Sequence, residues 1–121
     1  MARILVVDDD KLFLQFVRDS LQDAGHQVVE ASGGLPAMEI VESEVFDLLI
    51  VDVVMPDKGG IETMIDAHAL RNELPIIMVS GKVPTNTDAF QRLVQKFGAR
   101  EVLSKPFDAT TLLSAVNAAL S

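Results

Sequence analysis

The segment Leu48-Leu49-Ile50-Val51-Asp52-Val53-Val54-Met55-Pro56-Asp57-Lys58-Gly59-Gly60 sets a single carboxylate inside an apolar run and then breaks at proline, charge and glycine. A run this short and continuous, closed by turn residues, reads as a strand over Asp47 to Val53, buried on both faces, with Asp52 near its C-terminal end. Ionised groups are seldom left in apolar surroundings without a partner or a task. The rest of the chain must supply one for Asp52.

Outward from this segment, similar runs recur, each ending in polar residues. Ile4 to Val7 ends in Asp8-Asp9-Asp10, Ile76 to Val79 ends in Ser80-Gly81, and Glu101 to Ser104 closes on Lys105-Pro106. Gln27 to Ala31, less apolar and containing Glu30, suits an edge strand. Between these runs, apolar residues recur at helical spacing. Phe13, Phe16, Val17, Leu21 and Ala24 mark a helix from Lys11 to Ala24, closed by Gly25. Pro36 suits the first turn of a helix that reaches about Ser43. Ile61, Met64, Ile65 and His68 share a stripe on a helix between Gly60 and Pro75. Phe90, Leu93, Val94 and Phe97 mark a helix over Thr85 to Phe97, and Asp108 caps a last one with Leu112, Leu113, Val116 and Leu120 inside.

Five strands alternating with five helices make an α/β domain, a parallel sheet doubly wound with helices on both faces. Ligands of such sheets bind beyond the carboxyl ends of the strands. Asp8, Asp9, Asp52, Ser80 and Lys105 all fall there, so one rim collects the polar groups.

One domain over residues 1–121 accounts for the length, and a chain of this size can bury a core without staples. The absence of cysteine excludes a disulfide framework, thiolate metal sites and a thiol nucleophile, and fits a reducing compartment such as the cytoplasm. The first apolar run is too short and too soon acidic for a signal peptide, and no stretch is long enough to span a membrane. A net charge of −8 without a basic stripe argues against direct binding to nucleic acid or to an anionic membrane. It favours a cation or a basic partner surface.

Three carboxylates on one rim, Asp8, Asp9 and Asp52, repel one another unless a cation sits among them. Oxygen donors without His or Cys suit a hard ion, and Mg²⁺ takes one or two carboxylates while keeping waters and phosphate oxygens. Asp10 reads as the cap of the helix that starts at Lys11. A carboxylate beside a divalent ion can attack phosphorus and form an acyl phosphate, which makes Asp52 the candidate phosphoacceptor. Phosphoryl transfer asks the protein mainly for positioning and for charge stabilisation, and Lys105 and the Ser80 hydroxyl are the groups available.

From end to end the chain resembles the receiver domain of two-component response regulators. The resemblance rests on Asp8-Asp9 after Ile-Leu-Val-Val, Asp52 in Val-Asp-Val-Val-Met-Pro with Gly60 eight residues on, Val79-Ser80-Gly81, and Lys105-Pro106-Phe107. It implies a flavodoxin-like (βα)5 fold with strand order 2-1-3-4-5. It implies that Asp52 takes a phosphoryl group from the phosphohistidine of a sensor histidine kinase or histidine phosphotransfer protein, and that the phosphorylated form switches contacts with a downstream protein. Asp9, Asp52 and the backbone carbonyl of Val54 would bind Mg²⁺, or Mn²⁺ in its place, with Asp8 acting largely through water. Lys105 and Ser80 would contact the phosphoryl oxygens, Ser80 moving toward them, across a cis Lys105–Pro106 bond. The chain would transfer phosphate only to and from itself and would not be an enzyme toward other substrates.

Three positions depart from the family pattern. Val102 stands where receivers often carry an aromatic residue, and a stiff valine cannot provide the same rotamer gate. Readout is then expected to depend more on the loop after Ser80 and the helix with Phe90 and Phe97, whose Gln91, Arg92, Gln95 and Lys96 offer a partner surface. Val54 has no hydrogen-bonding group with which to orient water, which predicts slow self-dephosphorylation. Gly59 replaces a common Asp and loosens its loop. Lys58 and Lys82 read as solvated loop lysines, and His68 as a packed side chain.

The alternatives belong to other classes. A receiver-like module could serve contacts without phosphorylation. A small aspartate-based phosphatase would share the nucleophile and the ion but usually brings cap segments for which 121 residues leave no room. A flavin carrier would need a phosphate loop where Asp8-Asp9-Asp10 repels phosphate.

Overall fold

In the computed structural model, which describes residues 1–81 and 87–121, the opening segment forms β3 (Leu48–Asp52), every residue of it buried. Each of its Leu, Ile and Val side chains contributes about 1.5–3 kcal/mol of transfer free energy on leaving water. The remaining strands are β1 (Arg3–Val7), β2 (Gln27–Ala31), β4 (Ile76–Ser80) and β5 (Ala99–Ser104). The helices are α1 (Lys11–Asp23), α2 (Gly34–Ser43), α3 (Gly60–Leu70), α4 (Asp88–Lys96) and α5 (Ala109–Leu120). All strand pairs are parallel and the sheet order is β2-β1-β3-β4-β5, as the resemblance implied.

Strand alternation splits the core in two. Leu5, Val7, Leu49, Val51, Ile76 and Met78 face α2, α3 and α4 and pack on Ala37, Val41, Met64, Ala67 and Val94. Ile4, Val6, Leu48, Ile50, Ile77 and Val79 face α1 and α5 and pack on Leu14, Val17, Leu21, Leu112 and Val116. Because the strands are parallel, their C-terminal ends share one rim, and register aligns Val7 with Val51, Asp52 with Val79, and Ser80 with Ser104.

Several boundaries and faces differ from the sequence reading. Leu14, not expected inside, is buried on α1, whereas Phe13 and Phe16 are half-buried and Ala24 is exposed. On α3 the fully buried face is Gly60, Thr63, Met64 and Ala67; Ile61, Ile65 and His68 lie at its margin. Beside Met64 the buried positions hold Gly, Thr and Ala, which a hydrophobicity stripe overlooks. On α4, Val94 alone among its residues is buried and Leu93 is 41% exposed. Thr87 caps α4, accepting from the Phe90 N–H at 3.2 Å; the expected start at Thr85 lies outside the described residues, as does Lys82. β5 begins two residues earlier than Glu101, where Ala99 is buried beside Ile76.

Candidate functional site

The connections after β1, β3 and β5 deliver the charged side chains of the rim, and Gly81, just after β4, joins them in lining it. β1 ends at Val7, and the chain turns at once into α1. Asp10 caps that helix, its Oδ1 accepting from the N–H groups of Leu12 at 3.0 Å and Phe13 at 3.3 Å. Asp8 is fully buried and fixes the turn by accepting from the Asp10 N–H at 2.9 Å through Oδ1. Its Oδ2 stays turned toward the rim.

β3 delivers Asp52, 8% exposed, whose Oδ1 accepts from the Val54 N–H at 3.4 Å. The chain then doubles back, and the Gly60 N–H donates to the Val53 carbonyl at 2.9 Å. A Cβ on Gly60 would lie 1.7 Å from the Asp52 carbonyl oxygen, so this close approach admits only glycine. The Gly60 spacing quoted from the sequence thus has a steric cause. Gly59, by contrast, has open space around it.

β5 hands on to Lys105, whose backbone N–H donates to the Ser80 carbonyl at 2.8 Å, tying the lysine to the end of β4. The Lys105–Pro106 bond is cis. The Lys105 Nζ donates to Asp8 Oδ2 at 2.8 Å and to Asp52 Oδ2 at 3.3 Å, and lies 4.1 Å from the centroid of the Phe13 ring.

Asp8, Asp9 and Asp52 each place one carboxylate oxygen within 4.8 Å of the others. With Asp10, Val54, Gly81 and Lys105 they line a cavity of about 370 Å³. Three carboxylates and one ammonium leave an excess of negative charge. Burial pushes the Asp8 carboxyl above its ordinary 3.8, against the lowering effect of the Lys105 hydrogen bond and the Asp10 N–H and with the help of the Asp52 charge. At Lys105 burial acts to lower the ammonium, but the hydrogen bond and charge of Asp8, and then Asp52, outweigh it and hold it above 10.5. The two directions look opposed for one ion pair. Burial penalises both charges, and it wins at Asp8, with side-chain exposure of 1%, but not at Lys105, with 22%. All-oxygen donors, a surplus of negative charge and room beside them fit a hard divalent cation.

The structure brings together Asp8, Asp9, Asp52, Val54 and Lys105. Ser80 is buried at the end of β4, one residue beyond the register partner of Asp52, and by strand alternation belongs to the opposite side of the sheet from Asp8 and Asp52. Lys58 corrects the sequence reading: it is no solvated loop lysine but a side chain 16% exposed, paired with Asp66 and, at 3.8 Å, with Glu62. His68 packs as expected, its ring edge-on to Phe97 with centroids 6.2 Å apart.

Two residues escaped the sequence reading. Asp57 accepts from the N–H groups of Gly34 at 3.2 Å and Leu35 at 3.1 Å, capping α2 from the loop after Asp52. The Lys58 and Leu35 backbone donors hold its carboxyl below 3.8. The signal was a helix starting at Gly33-Gly34 without a local capping side chain. The spacing of Phe13 marks it for the core; that it also faces Lys105 follows from tertiary structure alone.

The family model described as response regulator receiver domain matches residues 4–117. Protein PilH of Pseudomonas aeruginosa is 32% identical over 123 residues, covering 100% of this chain and 99% of that protein. The transcriptional regulatory protein CpxR of Escherichia coli strain K12 is 33% identical over 99% of this chain, which spans 50% of its length. A receiver domain protein described as CheY-like, from Methanospirillum hungatei JF-1, superposes with a TM-score of 0.91 at 30% identity, covering 99% of this chain and 94% of that one. The order of the strands, the acidic rim and these likenesses agree, and the chain belongs to the response regulator receiver domain family.

Proposed function

We propose that residues 1–121 form a phosphorelay receiver that accepts a phosphoryl group on Asp52 from the phosphohistidine of a sensor histidine kinase or histidine phosphotransfer protein. The observation that carries this reading is the meeting of Asp8, Asp9 and Asp52 with Lys105 at one strand rim of a family member. Asp9, Asp52 and the Val54 carbonyl would hold Mg²⁺ or Mn²⁺, with Asp8 acting through water. Bound there, the cation would offset the charge that keeps an anionic phosphoryl group away. A carboxylate oxygen of Asp52 attacks phosphorus, the P–N bond breaks, and its electron pair returns to the imidazole. Lys105 turns from the carboxylates to a phosphoryl oxygen, and the Ser80 hydroxyl reaches another from the far side of the sheet.

The product is read by a downstream protein rather than by a second substrate. Val102, half-buried and in register with Met78, packs against the α2/α3/α4 core and has no ring to swing. We assign readout to α4, where Arg92, Gln95 and Lys96 are exposed, together with the segment after Ser80, of which residues 82–86 lie outside the described residues. Unchanged chemical shifts along α4 on phosphorylation would contradict that assignment.

The direct test is incubation with Mg²⁺ and acetyl phosphate followed by intact mass. One phosphoryl group is expected on the wild type and none on Asp52→Asn. Equal labelling of the two, or none of either, would sink the proposal.

A further inference from the structure

The Lys105 ammonium has three N–H groups. It directs hydrogen bonds to Asp8 Oδ2 at 2.8 Å and Asp52 Oδ2 at 3.3 Å, and it also lies over the face of Phe13, 4.1 Å from nitrogen to centroid. That ring is held in turn. Phe107 meets it edge-on, with centroids 5.7 Å apart at 90°, and Phe16 lies 6.2 Å from Phe13 and 6.1 Å from Phe107. Phe107 stands two residues after Lys105, so the segment that carries the lysine also braces the ring beneath its ammonium.

We propose that Phe13 is a positioning residue for phosphoryl transfer, its ring face holding the Lys105 ammonium at the rim while that ammonium changes partners. The inference rests on the receiver chemistry proposed above. In the state described, Asp8 and Asp52 fix the lysine; in the reaction both carboxylates turn their charge elsewhere and their pull on the ammonium weakens. The attraction of a cation to an aromatic face arises from the ring quadrupole and is indifferent to the charge of the carboxylates. It also directs no hydrogen bond, so it leaves N–H groups available to an arriving phosphoryl oxygen. A leucine would fill similar space without that attraction.

The test replaces Phe13 with phenylalanines bearing increasing numbers of fluorines, which weaken the negative ring face with little change of shape. Phosphoryl uptake from acetyl phosphate at saturating Mg²⁺ is followed by intact mass. The logarithm of the rate should fall stepwise along the series to a total of about fivefold. Phe13→Leu should show the same loss, Phe13→Tyr should restore the rate, and Phe13→Leu should add nothing in a Lys105→Met background. Independently of the chemistry, the Lys105 Hε resonances of the metal-free wild type should be shifted upfield by the ring and lose that shift in Phe13→Leu. Should Phe13→Leu fail to fold, the fluorinated series still decides. A wild type that is phosphorylated at a rate unchanged along the series overturns the role of Phe13 and leaves the receiver reading standing. A wild type that takes up no phosphoryl group overturns both.

Discussion

The two rims of the sheet carry cavities of similar size and opposite character. At the N-terminal ends of the strands, Met1, Ala2, His26, Asp47, Pro75 and Arg100 help to line about 470 Å³, more than the 370 Å³ beside Asp52. There the polar groups are matched locally. The Ala2 N–H donates to His26 Nδ1 at 3.0 Å, the Arg3 N–H to Asp47 Oδ2 at 2.8 Å, and Arg100 Nη1 to the Ala119 carbonyl at 3.0 Å. The Arg3 side chain pairs with Glu44 and lies over the Phe46 ring. At the other rim three carboxylates crowd within 4.8 Å, and two of them, Asp8 and Asp52, share Lys105. The N-terminal rim is a seam that joins connections to strands, and the C-terminal rim holds unbalanced charge. The imbalance, not the volume, separates site from surface.

The largest effect that would break this contrast falls on Lys105. Lys105→Met removes the cation proposed to meet the phosphoryl oxygens, and the rate of uptake from acetyl phosphate should drop about 100-fold, the scale for losing one preorganised charge-stabilising donor. An unimpaired rate would mean that the ammonium serves only to neutralise Asp8 and Asp52.

Next comes the cation. Mg²⁺ should raise the thermal stability of the wild type because it relieves the crowding of Asp8, Asp9 and Asp52. The gain is about 2.7 kcal/mol once the ion reaches a hundred times its dissociation constant, and EDTA should reverse it. Asp9→Asn should abolish the gain, whereas His26→Gln, on the opposite rim, should leave it intact. Melting curves followed by circular dichroism read both.

A smaller change is expected at Val54, which is 52% exposed, lines the rim cavity and offers water no hydrogen bond from its side chain. Val54→Asn supplies a group able to orient an attacking water, worth about 1 kcal/mol, so the phosphoryl lifetime should shorten about fivefold. A mutant lifetime equal to or longer than that of the wild type contradicts the reading of Val54.

What could be read from sequence differs between the rims for a physical reason. Buried parallel strands announce themselves as continuous apolar runs, so β1, β3 and β4 were legible, and residues just past each run had to share one rim whatever the details. The sequence alone therefore sets Asp8, Asp9, Asp52 and Lys105 on one rim. Helix faces were less legible: α3 buries Gly60, Thr63 and Ala67, which periodicity ignores, and places His68 at the margin. Contacts between elements were hidden altogether. Lys58 is paired with Asp66 across a helix start, Asp57 caps α2 from another loop, and Phe13 faces Lys105 across 92 positions of chain, since no local pattern encodes a tertiary neighbour.

The smallest expected effect tests whether the rims are separate at all, because β5 touches both. Its second residue, Arg100, reaches the end of α5, and Lys105 follows directly after its last, Ser104. Arg100→Ala removes one hydrogen bond to a helix-terminal carbonyl at an exposed residue, a loss of at most about 1 kcal/mol in stability. The rate of phosphoryl uptake should not change, because the backbone of Lys105 is anchored to Ser80 and its ammonium to Asp8, Asp52 and Phe13, none of which Arg100 touches. Measured together, a slightly lowered melting temperature with an unaltered rate keeps the seam and the site apart. A slowed rate at an unaltered melting temperature would show that β5 transmits displacement along its length, and the N-terminal rim would then count as part of the switch.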